Sequence, residues 1–162
     1  MRDLGTEVIP ITPVTYRPVM QPDDLRDHFT VRLKHSDAAG VIFFPNAFHV
    51  EQEFFERWLE AGGLSLRGML DGAHAPTPVV HCEADFRRPV RVGDRLMVRL
   101  SGVRVGRTSY TLAWSMELDG DVAIEVRVRR AAVDAARGGA TELAADLRAW
   151  LERSQRQTSS LD

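Results

Sequence analysis

The chain has 162 residues, of which 44% are apolar and 27% are charged, and its formal net charge is −2. A domain of this size buries about 70% of the surface of its unfolded chain, so it needs neither a disulfide nor a structural metal. A pI of about 6.2 disfavours a dedicated nucleic-acid binder, because such domains are usually strongly basic. No apolar run approaches the roughly 20 residues of a membrane span, and the single cysteine excludes an internal disulfide. We therefore expect a soluble, cytoplasmic protein with no nucleic-acid or membrane partner.

The two ends of the chain differ in composition from its middle. Residues 1–27 contain four of the eight prolines, and proline lacks a backbone donor, so we expect an extended or partly disordered N-terminal arm. Residues 135–162 are expected to form a C-terminal helix over 142–152, capped by Thr141, followed by a tail that frays from Ser154 onward. One domain over residues 28–134 lies between them.

The first half of that domain predicts a strand and a long helix. Apolar and polar residues alternate over 29–34, which is typical of a strand. After a loop, residues 46–61 show apolar side chains at steps of three and four around much of the helix, so this helix is largely buried. Asn46 is the candidate N-cap, and Gly62 and Gly63 are expected to end the helix. A short helical turn is expected over 66–70.

After Pro76 the period of the apolar residues falls to two. Four strands are predicted, around residues 79–86, 95–101, 110–118 and 122–133. Asp119 and Gly120 are a strong hairpin signal between the last two. Short connections predict antiparallel neighbours. Alternation also places Cys82 among the small core residues, and it separates Cys82 from His81 on opposite faces, so the two cannot form a nucleophilic pair.

The order of elements predicts an α+β protein. One long buried helix can cover one face of an antiparallel sheet, and a large twisted sheet that curls around a central helix is the hotdog arrangement. We predict the order β-α-β-β-β-β plus a C-terminal helix. Edge strands of such a sheet need another copy of the chain. We expect a homodimer or a dimer of dimers, with the active site between two subunits.

The loop over residues 35–46 carries the most chemical information. Asp37 lies a few residues before the helix, and Gly40 allows a sharp turn or a close approach. Free N–H groups at a helix N-terminus can polarise a carbonyl in the manner of an oxyanion hole. A carboxylate beside them could attack that carbonyl or activate a water. The alternative is that Asp37 only caps a turn or the helix.

This loop, with the sequence HSDAAGVIFFPN, resembles the signature of the 4-hydroxybenzoyl-CoA thioesterase family of hotdog proteins. Its Asp-Ala-Ala-Gly-Val portion also resembles the 1,4-dihydroxy-2-naphthoyl-CoA thioesterases of the same superfamily. Weaker matches follow at residues 76–86, 92–94 and 107–110, so the resemblance covers roughly residues 29–134. It implies an enzyme that hydrolyses an acyl-CoA thioester, with an aromatic acyl group expected, to the free acid and CoA.

The resemblance also implies roles for individual residues. Asp37 would be the nucleophile or the general base, and the backbone N–H of Phe44 would donate to the thioester oxygen. Substrate contacts fall on Phe43, Gln52 and Thr77. Contacts with the phosphates and pantetheine arm of CoA fall on Arg88, Arg107, Thr108 and Ser109, where arginines suit several negative charges. None of these steps requires a metal or a redox cofactor, and the histidines show no metal-ligand spacing.

Two positions depart from the family pattern. His35 stands where many members carry a second aspartate, so it either hydrogen-bonds Asp37, shapes the loop or is an ordinary strand-end histidine. Gln52 stands where members that select a 4-hydroxybenzoyl group have an acidic residue against the phenol hydroxyl. Loss of that carboxylate puts 4-hydroxybenzoyl specificity in doubt.

Other interpretations remain open. In the other main type of hotdog thioesterase the catalytic carboxylate comes from the central helix, so Glu51 or Glu53 could replace Asp37 in that role. A hotdog protein could also bind acyl-CoA as a sensor without cleaving it, although a pure binder has no use for a carboxylate at the thioester. A third possibility is a thioesterase that takes its acyl group from a carrier protein in polyketide synthesis.

Overall fold

A computed structural model describes residues 24–72 and 75–159 of the chain. Within these ranges the elements are β1 (Arg26–Thr30), α1 (Pro45–Ala61), α2 (Leu66–Leu70), β2 (Val79–Phe86), β3 (Arg95–Val105), β4 (Ser109–Leu118), β5 (Asp121–Ala131) and α3 (Ala145–Ser159). The strands form one antiparallel sheet in the order β1-β3-β4-β5-β2. This confirms the predicted α+β class and hotdog element order. The predicted N-terminal arm lies outside the described residues up to position 23, and no described helix is long and apolar enough to cross a membrane.

The long helix α1 forms the centre of the core. Its buried side chains include Val50, Phe54, Trp58 and Leu59, each at most 2% exposed. Phe54 packs edge-on against Trp114 of β4, with ring centroids 6.2 Å apart. The prediction that apolar side chains lie around much of this helix is confirmed, because one side of α1 faces the sheet and another is covered by α3.

The first strand lies further toward the N-terminus than alternation predicts, over Arg26–Thr30 instead of 29–34, so residues 26–27 of the predicted N-terminal arm belong to the sheet. Strand β1 ends at Thr30, and residues 33–35 form a 3₁₀ turn instead of continuing the strand. The backbone N–H and the hydroxyl of Ser36 both donate to the carbonyl of Leu33, at 3.0 and 2.9 Å. Local hydrogen bonds thus replace sheet pairing at this point, and Leu33 is left 78% exposed.

The prediction that short connections make neighbours is wrong for β2 and β3. Strand β2 pairs with β5, whereas β3 lies between β1 and β4, so residues 87–94 cross the end of the sheet. In this crossing the Arg87 N–H donates to the Ala123 carbonyl at 2.8 Å. Strand β2 is consequently an edge strand in the described chain. Cys82, expected in the core, is exposed on it, because β2 lies at the sheet edge and all its residues except Ala84 are exposed.

Helix α3 begins later and ends later than predicted. Thr141 does not cap it, because the backbone N–H groups of Thr141 and Leu143 donate to the carbonyls of Ala132 and Arg107, at 3.0 and 3.2 Å. These bonds hold the segment before α3 against the sheet, and the helix starts at Ala145. The tail predicted to fray is helical up to Ser159, and residues 160–162 lie outside the described part.

Two tryptophans join α3 to α1. The Trp58 indole N–H donates to the Ser154 hydroxyl, and the Trp150 indole N–H donates to the Trp58 carbonyl, both at 3.0 Å. The two ring centroids are 5.7 Å apart. At the end of α1, Gly62 lies so close to the Trp150 ring that a Cβ there would be 2.6 Å from three of its atoms. Gly62 therefore both ends α1, as predicted, and admits the α3 tryptophan.

Candidate active site

The loop that carries Asp37 is a tight turn. The Asp37 N–H donates to the Val41 carbonyl at 3.1 Å, and the Gly40 N–H returns to the Asp37 carbonyl at 3.0 Å. Gly40 has a φ of 74°, a backbone conformation that residues with a Cβ rarely adopt. Asp37 Oδ1 accepts from the Ala39 N–H at 2.8 Å, so Asp37 does cap the turn. No residue in 24–72 or 75–159 donates a hydrogen bond to the other carboxylate oxygen of Asp37.

The start of α1 supplies an unused backbone donor. Pro45 is the first helical residue and has no N–H, while the N–H groups of Phe43 and Asn46 donate to the carbonyls of His35 and Phe43, both at 2.8 Å. The Phe44 N–H has no acceptor among the described residues. The prediction that Asn46 is the N-cap is wrong, because Phe44 occupies that position. Asn46 lies inside the helix, and its Nδ2 donates to the His35 carbonyl at 3.0 Å.

Asp37 and Phe44 line one cavity of about 380 Å³, which we call the Asp37 pocket. It lies between the loop, the start of α1 and the end of β2, and Phe43, Phe86 and Arg88 line it too. Phe43 and Phe44 are 44% and 61% exposed. The pocket is therefore lined by Asp37, by the residue whose backbone N–H is unused and by aromatic side chains, and it brings together four of the predicted site residues.

Arg88 is held at the rim of the Asp37 pocket by the neighbouring hairpin. Its Nη1 donates to the Leu118 carbonyl at 3.0 Å and to Asp121 Oδ2 at 2.9 Å. The guanidinium is therefore fixed in place while part of its side chain stays open to solvent.

Gln52 and Thr77 line a second cavity of about 380 Å³, which we call the Thr77 pocket. The Thr77 hydroxyl and the Tyr110 hydroxyl are 3.1 Å apart. Burial raises the pKa of Tyr110, so the phenol stays protonated. The remaining lining is mostly apolar and comprises Phe55, Leu66, Met69, Leu70, Pro76, Pro78, Val79, Arg130 and Val133. This pocket suits an apolar group that carries a few polar atoms.

The two pockets lie at opposite ends of the edge strand. Phe86, the last residue of β2, lines the Asp37 pocket, and Val79, the first residue, lines the Thr77 pocket. The seven residue steps from Val79 to Phe86 span about 23 Å. Within one chain, the structure therefore divides the predicted catalytic residues from the predicted substrate residues Gln52 and Thr77.

The predicted CoA contacts Arg107, Thr108 and Ser109 lie at the turn between β3 and β4. They line neither pocket, but Ser109 pairs with Ala131, so they share the sheet end that holds the Thr77 pocket. Arg107 forms an ion pair with Glu142 at 3.3 Å and its side chain is 75% exposed. These residues are accessible, but the described chain separates them from Arg88.

The fallback carboxylates on α1 are both engaged. Glu51 forms a two-pronged ion pair with Arg130 of β5, both contacts at 3.0 Å, with both side chains at most 3% exposed. Glu53 pairs with Arg57. Arg130 was not among the predicted site residues, although the sequence carries a signal for it. Arg130 continues the inward phase of Val126 and Val128 as a lone charge, which predicts a buried partner.

His35 shapes the loop and makes no hydrogen bond with Asp37 in the described structure. Its Nδ1 accepts from the Arg32 N–H at 2.9 Å, which requires an unprotonated Nδ1. Burial, and next the charge of Lys34, lower the pKa of His35. Of the three roles left open for His35, shaping the loop fits these contacts. The described residues contain no group of three His, Cys, Asp or Glu side chains that could hold a metal ion.

The model of the thioesterase-like superfamily matches residues 31–151. The chain belongs to the thioesterase-like superfamily. Among its superfamily relatives, the 1,4-dihydroxy-2-naphthoyl-CoA hydrolase of Synechococcus sp. is 32% identical over 77% of this chain and 87% of its own length. The corresponding hydrolase of Nostoc punctiforme is 29% identical over 82% of this chain and 90% of its own length.

A solved structure supports the same fold. The 1,4-dihydroxy-2-naphthoyl-CoA thioesterase from Synechocystis superposes with a TM-score of 0.73 at 21% identity, covering 78% of this chain and 93% of that one. At this identity the likeness establishes the fold alone. Together these findings confirm the resemblance drawn from the loop motif and the prediction that this superfamily member is a thioester hydrolase.

Proposed function

We propose that the protein hydrolyses the thioester of an aromatic acyl-CoA to the free acid and CoA, with Asp37 as the catalytic carboxylate. The observation that carries this proposal is the Asp37 pocket, where a carboxylate oxygen and the Phe44 N–H are both without partners among the described residues. A thioester carbonyl bound there has an acid group near its carbon and a donor near its oxygen. The relatives named as hydrolases of an aromatic acyl-CoA support this substrate class.

Two courses of reaction fit this pair of groups. As a general base, Asp37 takes a proton from water while the water oxygen attacks the thioester carbon. As a nucleophile, its carboxylate oxygen forms the new bond, and water then cleaves the resulting anhydride. In both courses the Phe44 N–H donates to the tetrahedral oxyanion. Collapse breaks the carbon–sulfur bond, and the CoA thiolate leaves and takes up a proton.

The proposal includes a homodimer, because one chain separates the pieces of the site. An unpaired edge strand invites pairing with another chain, and β2 presents Val79, Val80 and Phe86 at 49%, 56% and 46% exposure. Two copies of β2 paired antiparallel about a two-fold axis would bring the first residue of one beside the last residue of the other. The Asp37 pocket of one copy would then meet the Thr77 pocket of its partner.

This arrangement gives the remaining predicted residues a place. The thioester would lie at Asp37 of one subunit, and the acyl group would reach Gln52 and Thr77 of the other, with Phe43 as an aromatic wall. Arg88 and the turn at residues 107–109 would face the CoA phosphates from the two subunits. A dimer of dimers is compatible with the same pairing. We also propose that the protein is cytoplasmic.

The direct test is thiol release by the purified full chain from a panel of aromatic and aliphatic acyl-CoA esters. We expect turnover of aromatic esters, detected by reaction of the released CoA thiol with a thiol reagent. Aliphatic esters of similar length should have a lower kcat/KM. Acyl groups on a carrier protein form a second arm of the panel. Tight binding of CoA esters with no turnover would favour a sensor, and turnover only of the acylated carrier protein would move the substrate class to polyketide synthesis.

A further inference from the structure

The buried ion pair between Glu51 and Arg130 does more than join α1 to β5. Arg130 Nη2 also donates to Gln52 Oε1 at 3.2 Å, and its guanidinium carbon lies 3.7 Å from the centroid of the Phe55 ring. The guanidinium is thus fixed by a carboxylate, an amide and an aromatic face at once. Gln52, Phe55 and Arg130 all line the Thr77 pocket.

These contacts determine which way the Gln52 amide points. Its oxygen faces the Arg130 guanidinium, and its Nε2 donates to Glu56 Oε1 at 3.0 Å. The flipped amide would place NH₂ against a cation and oxygen against a carboxylate, and both contacts would be repulsive. One of the two Nε2 hydrogens is used by Glu56, and the other has no acceptor among the described residues. Gln52 lines the Thr77 pocket, and with its oxygen held by Arg130 the remaining Nε2 hydrogen is the polar group that Gln52 can offer to a ligand there.

We propose that Arg130 is a positioning residue for acyl-group specificity: by holding Gln52 Oε1, it presents the Gln52 N–H to an oxygen atom on the aromatic acyl group. This inference rests on the proposed function for the site but not on the chemistry at Asp37. An acidic side chain in the same place would accept a hydrogen bond, whereas this amide donates one. The pocket should therefore select ring oxygens that can act as acceptors.

A positioning role can be tested by replacing both partners of the ion pair together. Replacing a buried ion pair with apolar residues of similar volume is often neutral, whereas removal of one partner leaves a buried charge and is costly. The double variant Glu51→Met/Arg130→Met therefore removes the guanidinium without leaving an unpaired carboxylate. It leaves Gln52 in place, with its amide free to turn.

The experiment measures binding by calorimetry on the full chain, with the non-hydrolysable thioethers phenacyl-CoA and its 2-, 3- and 4-hydroxy derivatives. For at least one hydroxy isomer we expect the wild type to bind about 10-fold more tightly than phenacyl-CoA, the size of one hydrogen bond. The double variant should reduce that ratio to within about twofold, and because Arg130 itself lines the pocket, the ratio measured on each variant is the readout and not the affinity for phenacyl-CoA alone. A merely structural role would weaken all four ligands together.

Two further variants make the result specific. Gln52→Met removes the amide, and adding the double replacement to it should change the ratio no further, because Arg130 acts through Gln52. If the double variant does not fold, Arg130→Lys decides the question: it keeps a charge beside Glu51 but lacks the fork that reaches both partners, so the ratio should fall. Wild-type discrimination in the folded double variant, or in Arg130→Lys in its place, overturns the proposal.

The outcome separates this inference from the proposed function. Hydrolysis of aromatic acyl-CoA without preference for any hydroxy isomer would reject the role of Arg130 alone. Discrimination among the thioethers without turnover of any ester would reject the hydrolase and leave the positioning role intact.

Discussion

Replacing Asp37 with asparagine should abolish most of the activity while leaving the fold unchanged. Asparagine keeps the Oδ1 atom that accepts the Ala39 N–H at 2.8 Å, so the turn that holds the loop survives. The free energy of unfolding should therefore change by no more than about 0.5 kcal/mol. The amide cannot accept a proton from water or form an anhydride, and kcat should fall at least about 100-fold, equivalent to about 2.7 kcal/mol of activation free energy.

The matched control is Asp134→Asn. Asp134 makes the same kind of turn, since its Oδ1 accepts from the N–H groups of Ala136 and Arg137 at 2.9 and 3.0 Å, but it lines neither the Asp37 pocket nor the Thr77 pocket. Thiol release and urea unfolding should be measured on both variants, with oligomeric state checked by gel filtration. Near-wild-type kcat in Asp37→Asn would refute the assignment and return attention to the helix carboxylates.

Three further predictions concern packing, pH and assembly. Gly62→Ala places a methyl group 2.6 Å from the Trp150 ring and should lower the free energy of unfolding by about 1–3 kcal/mol, whereas Gly68→Ala, whose Cβ meets only an ordinary contact at 3.8 Å, should not destabilise. Burial lowers the pKa of His35 below 6.5, so as the pH falls the His35 of the unfolded chain is protonated before that of the folded chain. The contribution of His35 to stability is therefore complete above pH 6.5 and is lost as the pH falls through the folded-state pKa. An NMR titration midpoint at or above 6.5 would contradict this. Val80→Lys puts a charge on the exposed edge strand, where Val80 is 56% exposed, and should give an inactive monomer by gel filtration and thiol release; an active dimer would show that pairing uses another surface.

Alternation and helical period were enough to predict the class of almost every element, because burial on one face imposes those periods. They failed where a local hydrogen bond competes with the regular one. Ser36 captures the Leu33 carbonyl and ends β1 early, and the bonds from Thr141 and Leu143 delay α3. Such competition depends on neighbours that are distant in sequence or on turn geometry, neither of which a periodic pattern contains.

The site was only partly predictable for a different reason. The Asp37 loop is continuous in sequence, so its motif could be read directly, and Asp37, Phe43 and Phe44 do share a pocket. The crossing between β2 and β3 is not encoded in connection length, so the sequence could not show that the Thr77 pocket lies at the other end of an edge strand. The alternation of β5 could have shown that Arg130 is buried, but it could not show that the partner is Glu51, 79 positions away.

The attachment of α3 to α1 constrains how this protein can be synthesised and shortened. Among the described residues, the Trp58 indole N–H donates to Ser154, 96 residues further along, and the Trp58 ring packs on Trp150. A nascent chain that has emerged only as far as β5 therefore lacks the α3 residues that cover Trp58. Complete folding must wait until α3 has left the ribosome. For the same reason, truncation before Ala145, which removes α3, should yield aggregation-prone material even though every strand of the sheet is present.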